Sequence, residues 1–138
     1  MAKTDHLRSQ HDEMVKIVVD ISSKLNVDYC KSNANDITRQ LASLIGKLKI
    51  HLSSEDKVLY PPLLAHKDGK VKTTAEAFMK EMGGIAPAVE AYFGKWMMAS
   101  NVQKNPEEFI KETKGLFDAL AKRIDKEHKD LYPLLDAA

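Results

Sequence analysis

The sequence predicts an all-α protein, an up-down-up-down antiparallel four-helix bundle, on three observations. Four long stretches carry apolar residues at intervals of three and four, and no stretch alternates like a strand. The connections between those stretches are short, which favours antiparallel neighbours. The chain has 138 residues, enough for one domain (1–138) with a sizeable core.

The first stretch runs from about Thr4 to Leu25, with Leu7, His11, Met14, Val18, Ile21 and Leu25 on one stripe. The second begins near Asp36 and aligns Ile37, Leu41, Leu44, Leu48, His51, Glu55 and Val58. Tyr60-Pro61-Pro62 is expected to break or kink it, because proline removes a donor and restricts the residue before it. The third starts near Thr73 or Thr74, each an acceptable N-cap, and aligns Ala75, Phe78, Met82, Ile85, Val89, Tyr92 and Trp96. Gly83-Gly84 and Pro87 are expected to interrupt it. The fourth opens with Asn105-Pro106-Glu107-Glu108, an N-cap, a proline at the first helical position and an acidic first turn. Its stripe is Phe109, Thr113, Leu116, Leu120, Arg123, Glu127 and Leu131, ended by Pro133.

Composition excludes several classes of function. A formal charge of +1 gives neither a nucleic-acid footprint nor an acidic tail. No apolar run approaches the ~20 residues of a membrane span, and Met1-Ala-Lys-Thr-Asp5 lacks a signal-peptide core. These features point to the cytoplasm. The single cysteine, Cys30, fits a reducing compartment and is placed in a loop over Val27–Asn33.

The apolar stripes turn polar near one end of the bundle, at His11, His51, Glu55, Arg123 and Glu127. Unpaired charge is costly to bury, so these residues must satisfy one another or a ligand. In an antiparallel bundle the start of helix one lies beside the ends of helices two and four. All five residues then share one layer. His51 and Glu55 stand one helical turn apart on one face, a spacing suited to a ligand pair.

The chain also repeats itself. His51-Leu-Ser-Ser-Glu55-Asp-Lys-Val-Leu59-Tyr60-Pro61 matches Arg123-Ile-Asp-Lys-Glu127-His-Lys-Asp-Leu131-Tyr132-Pro133. The interval from His11 to His51 differs by one position from that between Met82 and Arg123. Met82 thus takes on helix three the place of His11 on helix one.

A histidine on helix one, His-x-x-x-Glu on helix two and the same pattern across helices three and four resembles the hemerythrin-like (HHE cation-binding) domain. The resemblance covers nearly the whole chain. It is strongest over His51–Leu63 and over Glu127–Leu135. It implies a four-helix bundle whose histidines hold two irons bridged by carboxylates, and a role in binding or sensing oxygen, nitric oxide, redox state or iron. The matching positions here are His11, His51, Glu55 and Glu127. Met82 and Arg123 stand where the family places histidines, so a full di-iron centre is not expected.

What remains is a donor set for one divalent ion, iron or zinc, with Met82 and Arg123 modifying the second-metal position. Arg123 could pair there with the orphaned side of Glu55 and Glu127. The bland alternative is a metal-free layer in which Arg123 neutralises both carboxylates.

These readings support three functions. The first is a small module that binds metal and binds or senses a diatomic ligand. The second is a metal-free helical interaction or regulatory protein with an unidentified protein partner. The third is an oxidoreductase or iron donor, ranked last because no substrate pocket or second catalytic group is visible. Neither nucleic acid nor membrane is an expected partner. His6 lies about 140° around the helix from His11, His66 is read as a surface residue, and His128 falls off the Arg123–Glu127 line. Tyr60 and Tyr132 are read as closing the bundle end. The spaced aromatics Phe78, Tyr92, Phe93, Trp96, Phe109 and Phe117 are read as core.

Overall fold

The computed structural model describes residues 2–137. Its elements in order are α1 (Asp5–Ser22), α2 (Val27–Ser32), α3 (Ala34–Ser54), α4 (Tyr60–Leu64), α5 (Gly69–Trp96), α6 (Ala99–Lys104), α7 (Pro106–Lys126) and α8 (Tyr132–Asp136). A single wide π-helical turn joins α3 to α4 over Glu55–Leu59, and another joins α7 to α8 over Glu127–Leu131. No strand occurs among the described residues. The long rods α1, α3, α5 and α7 form the four-helix bundle. The early residue His11 of α1 meets the late residue His51 of α3. Arg123, late in α7, bonds Phe78, early in α5. Neighbouring rods therefore run antiparallel.

Two apolar clusters fill the interior. One, toward the α2 and α6 end, packs Met14, Ile21, Leu41, Leu48, Trp96, Phe109 and Leu120. The other closes the opposite end with Leu7, Leu59, Leu63, Phe78, Leu131 and Leu135. Each rod passes from one cluster to the other, and the polar layer lies between them. Leu7 and Met14 bracket His11; Leu48 and Leu59 bracket His51 and Glu55; Leu120 and Leu131 bracket Arg123 and Glu127.

Several expectations are corrected. The prolines after Tyr60 and Tyr132 do not end the helical path. Proline would collide with the carbonyl four residues back in a tight α-turn. The wide turn relieves that conflict: the N–H of Tyr60 donates to the carbonyl of Glu55, and that of Tyr132 to Glu127, each five residues back. The extra residue rotates the next part of the chain, so Val58 is 42% exposed while Leu59 is fully buried. α5 begins at Gly69, before Thr73 and Thr74. Asp68 caps it by accepting from the N–H of Lys70 at 2.9 Å, and the Thr73 hydroxyl instead donates to the Gly69 carbonyl.

Pro87 sits inside α5 without interrupting it. Phe78 on one side, with Val89, Tyr92 and Trp96 on the other, is buried against the core, and that packing outweighs one missing donor. Cys30 is not in a loop. It lies in α2, capped by Asn26 through the Tyr29 N–H, and is buried in the core beside α6.

Candidate metal centre

His11, His51, Glu55 and Glu127 each offer one ligand atom, and these atoms lie within 4.8 Å of one another. All four side chains are at least 98% buried. The Nε2 edges of the rings point inward: Nε2 of His11 is 3.2 Å from Oε1 of Glu127, and Nε2 of His51 is 3.3 Å from Oε2 of Glu55. His51 and Glu55 come from consecutive turns of one rod. His11 and Glu127 are brought to them by the antiparallel pairing of α1 with α3 and α7.

The outer edge of His51 is fixed by a chain of hydrogen bonds that assigns its proton. The Ser54 hydroxyl donates its one hydrogen to the Ile50 carbonyl at 3.0 Å. It can then only accept from Gln10, whose Nε2 lies 3.2 Å away. That orientation turns Oε1 of Gln10 toward Nδ1 of His51 at 2.8 Å. A carbonyl oxygen only accepts, so Nδ1 of His51 carries a proton and donates it there, which leaves Nε2 as the ring nitrogen that faces the interior. Nδ1 of His11 meets Nε2 of His128 at 2.7 Å, which likewise leaves Nε2 of His11 facing the other donors.

The Tyr132 hydroxyl closes the layer. It donates to Oε2 of Glu55 at 2.9 Å and lies 3.1 Å from Nε2 of His11 and 3.3 Å from Nε2 of His51. Burial, then the nearby Glu127 and Glu55, raises its pKa, so the phenol keeps its proton. Burial, followed by repulsion from the His51 and His128 rings, lowers the pKa of His11 to about 3. Two carboxylates so close in a dry interior do not both ionise. Burial would raise Glu55 too, but bonds from His51, Glu127 and Tyr132 outweigh it and hold Glu55 ionised. Glu127, raised by burial and by its bond to Glu55, keeps the shared proton.

The second copy of the repeat is occupied differently. Arg123 is buried, donating from Nη2 to the Tyr60 hydroxyl at 3.1 Å and to the Phe78 carbonyl at 3.0 Å. Its guanidinium lies 4.6 Å from the centre of the Phe78 ring. Nε stands 3.8 Å from Oε2 of Glu127, beyond hydrogen-bond reach, and Nη1 is 3.6 Å from the exposed Glu81. Of the expected pairing of Arg123 with both carboxylates, a long ion pair to Glu127 forms, without a hydrogen bond, and none to Glu55 is seen among the described residues. Oε2 of Glu127 is left buried with no hydrogen-bond partner. Met82 lines a small cavity together with Arg123 and Glu127.

Two roles assigned from sequence are corrected. Tyr132 does not merely close the bundle end, and Tyr60 supports Arg123. The wide turn swings each tyrosine into the layer, a rotation that no α-helical periodicity contains. His128 touches the layer for the same reason, since the turn opens at Glu127. Gln10 gives no signal in the sequence, because one half-buried glutamine between His6 and His11 looks like any surface residue. His66 is half-buried, its Nδ1 accepting the Asp68 N–H at 3.0 Å.

A four-helix bundle with a buried group of two imidazoles and two carboxylates between its apolar cores defines a class of cation-binding helical proteins. The hemerythrin HHE cation-binding domain family matches residues 2–135, and the chain belongs to it. No curated protein and no solved structure gives a match. No helix among the described residues is long and apolar enough to cross a membrane.

Proposed function

We propose that this chain holds one divalent ion, iron or zinc, on Nε2 of His11 and His51 and on the carboxylates of Glu55 and Glu127. The ion would serve to bind or sense a small diatomic molecule such as oxygen or nitric oxide. The observation that carries this reading is the buried Oε2 of Glu127, which has no hydrogen bond and only a 3.8 Å ion-pair contact with Arg123, beside three further donors. A buried acceptor without a partner costs free energy that a cation would return. The donor chemistry fits as well. Two neutral imidazoles with carboxylates suit ferrous iron or zinc, and a ferrous ion with an open position supplies reversible binding of diatomic molecules.

The chain's own residues prepare the rest. Gln10 holds a proton on Nδ1 of His51, as ligation through Nε2 requires, and the contact with His128 orients the His11 ring with its Nε2 inward. Glu127 would release its proton when the ion enters, so uptake should strengthen as pH rises. Arg123 and Met82 offer no nitrogen ligand on the second side, which supports one ion rather than two.

One observation favours a metal-free regulatory role: the Tyr132 hydroxyl already contacts three of the four donors. Anaerobic titration with ferrous iron separates the readings. One equivalent should raise the thermal midpoint, a chelator should reverse the gain, and nitric oxide should then give an iron-dependent EPR signal. A midpoint unmoved by ferrous iron and by zinc would leave the metal-free role.

A further inference from the structure

Between α3 and α5 lies a groove of about 300 Å³, open to solvent and lined by apolar side chains such as Ile45, Val89 and Phe93. Behind it is a cavity of about 20 Å³ that reaches His11, His51, Arg123 and Glu127. The two share four wall residues, Leu48, Leu52, Met82 and Leu120. The groove therefore leads toward the polar layer, and those four side chains form the wall common to the two spaces.

Met82 is the movable part of that wall. Leu48 and Leu120 belong to the buried core, whereas Leu52 and Met82 are partly exposed, and of these two only Met82 is unbranched. Its unbranched thioether turns about three bonds and changes shape at low cost. The inner volume takes one water-sized molecule. Besides the ligand residues and Arg123, its walls are Met14, Val18, Leu44, Ile124 and the shared four, all alkyl or thioether. Nη2 of Arg123 is already spent on Tyr60 and Phe78. A hydrated ion would shed its shell while passing the four alkyl and thioether side chains of the shared wall, which offer no polar atom to replace it. A neutral diatomic molecule, weakly hydrated, loses little.

We propose that the groove between α3 and α5 is the access route for an uncharged diatomic molecule, with Met82 as its gate. The destination of the route rests on the metal reading above; the route itself does not.

Xenon, a neutral probe of similar size, tests it on the metal-free protein labelled at its methionine methyls. Met14 lines only the inner cavity, while Met82 borders both spaces. Xenon should shift both methyl signals saturably in the native chain. Met82→Phe, or Leu52→Phe on the facing helix, should abolish the Met14 response. No Met14 response in the native chain, or one unchanged in both variants, overturns the route. In ferrous-loaded protein, Met82→Phe should slow nitric oxide association about tenfold and Met82→Ala should speed it, with metal content unchanged. Equal rates in all three proteins would also overturn it. Failure to take up metal while xenon still reaches Met14 would sink the metal reading and leave the route standing.

Discussion

Residues 51–61 and 123–133 run through the same backbone device and end with different cargo. In each, a glutamate closes an α-helix, a wide turn comes next, and a buried leucine and tyrosine precede a proline. Each tyrosine reaches across to the leading residue of the other copy. Tyr132 meets His51, and Tyr60 meets Arg123. Where the leading residue is histidine, Oε2 of its glutamate is engaged by Tyr132 and His51, and a second histidine arrives from α1. Where it is arginine, α5 contributes a carbonyl and an aromatic face, and Glu127 keeps one buried oxygen with no hydrogen bond, 3.8 Å from Arg123. The repeat thus keeps one backbone frame twice, with the candidate ligand group built around the histidine copy and an arginine at the matching place of the other. The Arg123 guanidinium places a fixed positive charge in one half of the polar layer.

The most direct way to break the comparison is His51→Ala, which removes the donor that distinguishes the first copy. It should abolish metal uptake, read as metal per chain. Next comes Arg123→Ala, which strands the Tyr60 hydroxyl, the Phe78 carbonyl and Glu127 in the interior. Removing one partner from such a buried set costs about 3–5 kcal/mol, measurable by denaturant unfolding. A mild effect would show that Arg123 is not what holds the second half together. The converse change, Met82→His with Arg123→His, makes the copies equal and should raise uptake to two ions per chain. Gln10→Leu leaves every ligand in place but frees the His51 tautomer. It should weaken metal affinity by roughly 10–100-fold, seen by competition with a chelator.

The smallest effect is on pH dependence of the metal-free protein. His11 in the fold refuses a proton that the unfolded chain accepts below its ordinary value of 6.5, so stability falls as pH drops from 6.5 toward 3. Glu127 works in the opposite sense. It keeps a proton that an unfolded glutamate loses above 4.5, so its contribution is complete below that value and fades as pH rises. Thermal midpoints should therefore be flat between 4.5 and 6.5, where the two oppose, and fall on either side. Glu127→Gln should remove the alkaline fall alone.

Periodicity makes the four rods and the five-residue polar layer legible, because burial along a rod obeys three-and-four spacing wherever the turn is α-helical. It fails where the turn is not. Proline announces a break but does not say that one extra residue will be taken up in a wider turn. Spacing alone therefore points Val58 inward and leaves Tyr60, Tyr132 and His128 out of the layer. Cap chemistry misleads at Thr73 because Asp68, earlier in the chain, offers a better acceptor than any threonine could. The relay from Ser54 through Gln10 to His51 depends on two rods meeting side by side. Nothing in either segment alone marks it.

The claim that the chain holds one ion, on His11, His51, Glu55 and Glu127, and no second ion beside Arg123 is tested most directly by elemental analysis of protein purified without an affinity metal column and then loaded anaerobically with ferrous iron. The account predicts close to one iron per chain in the native protein and none in His51→Ala. Two irons per native chain, or equal content in the native and His51→Ala proteins, would contradict it.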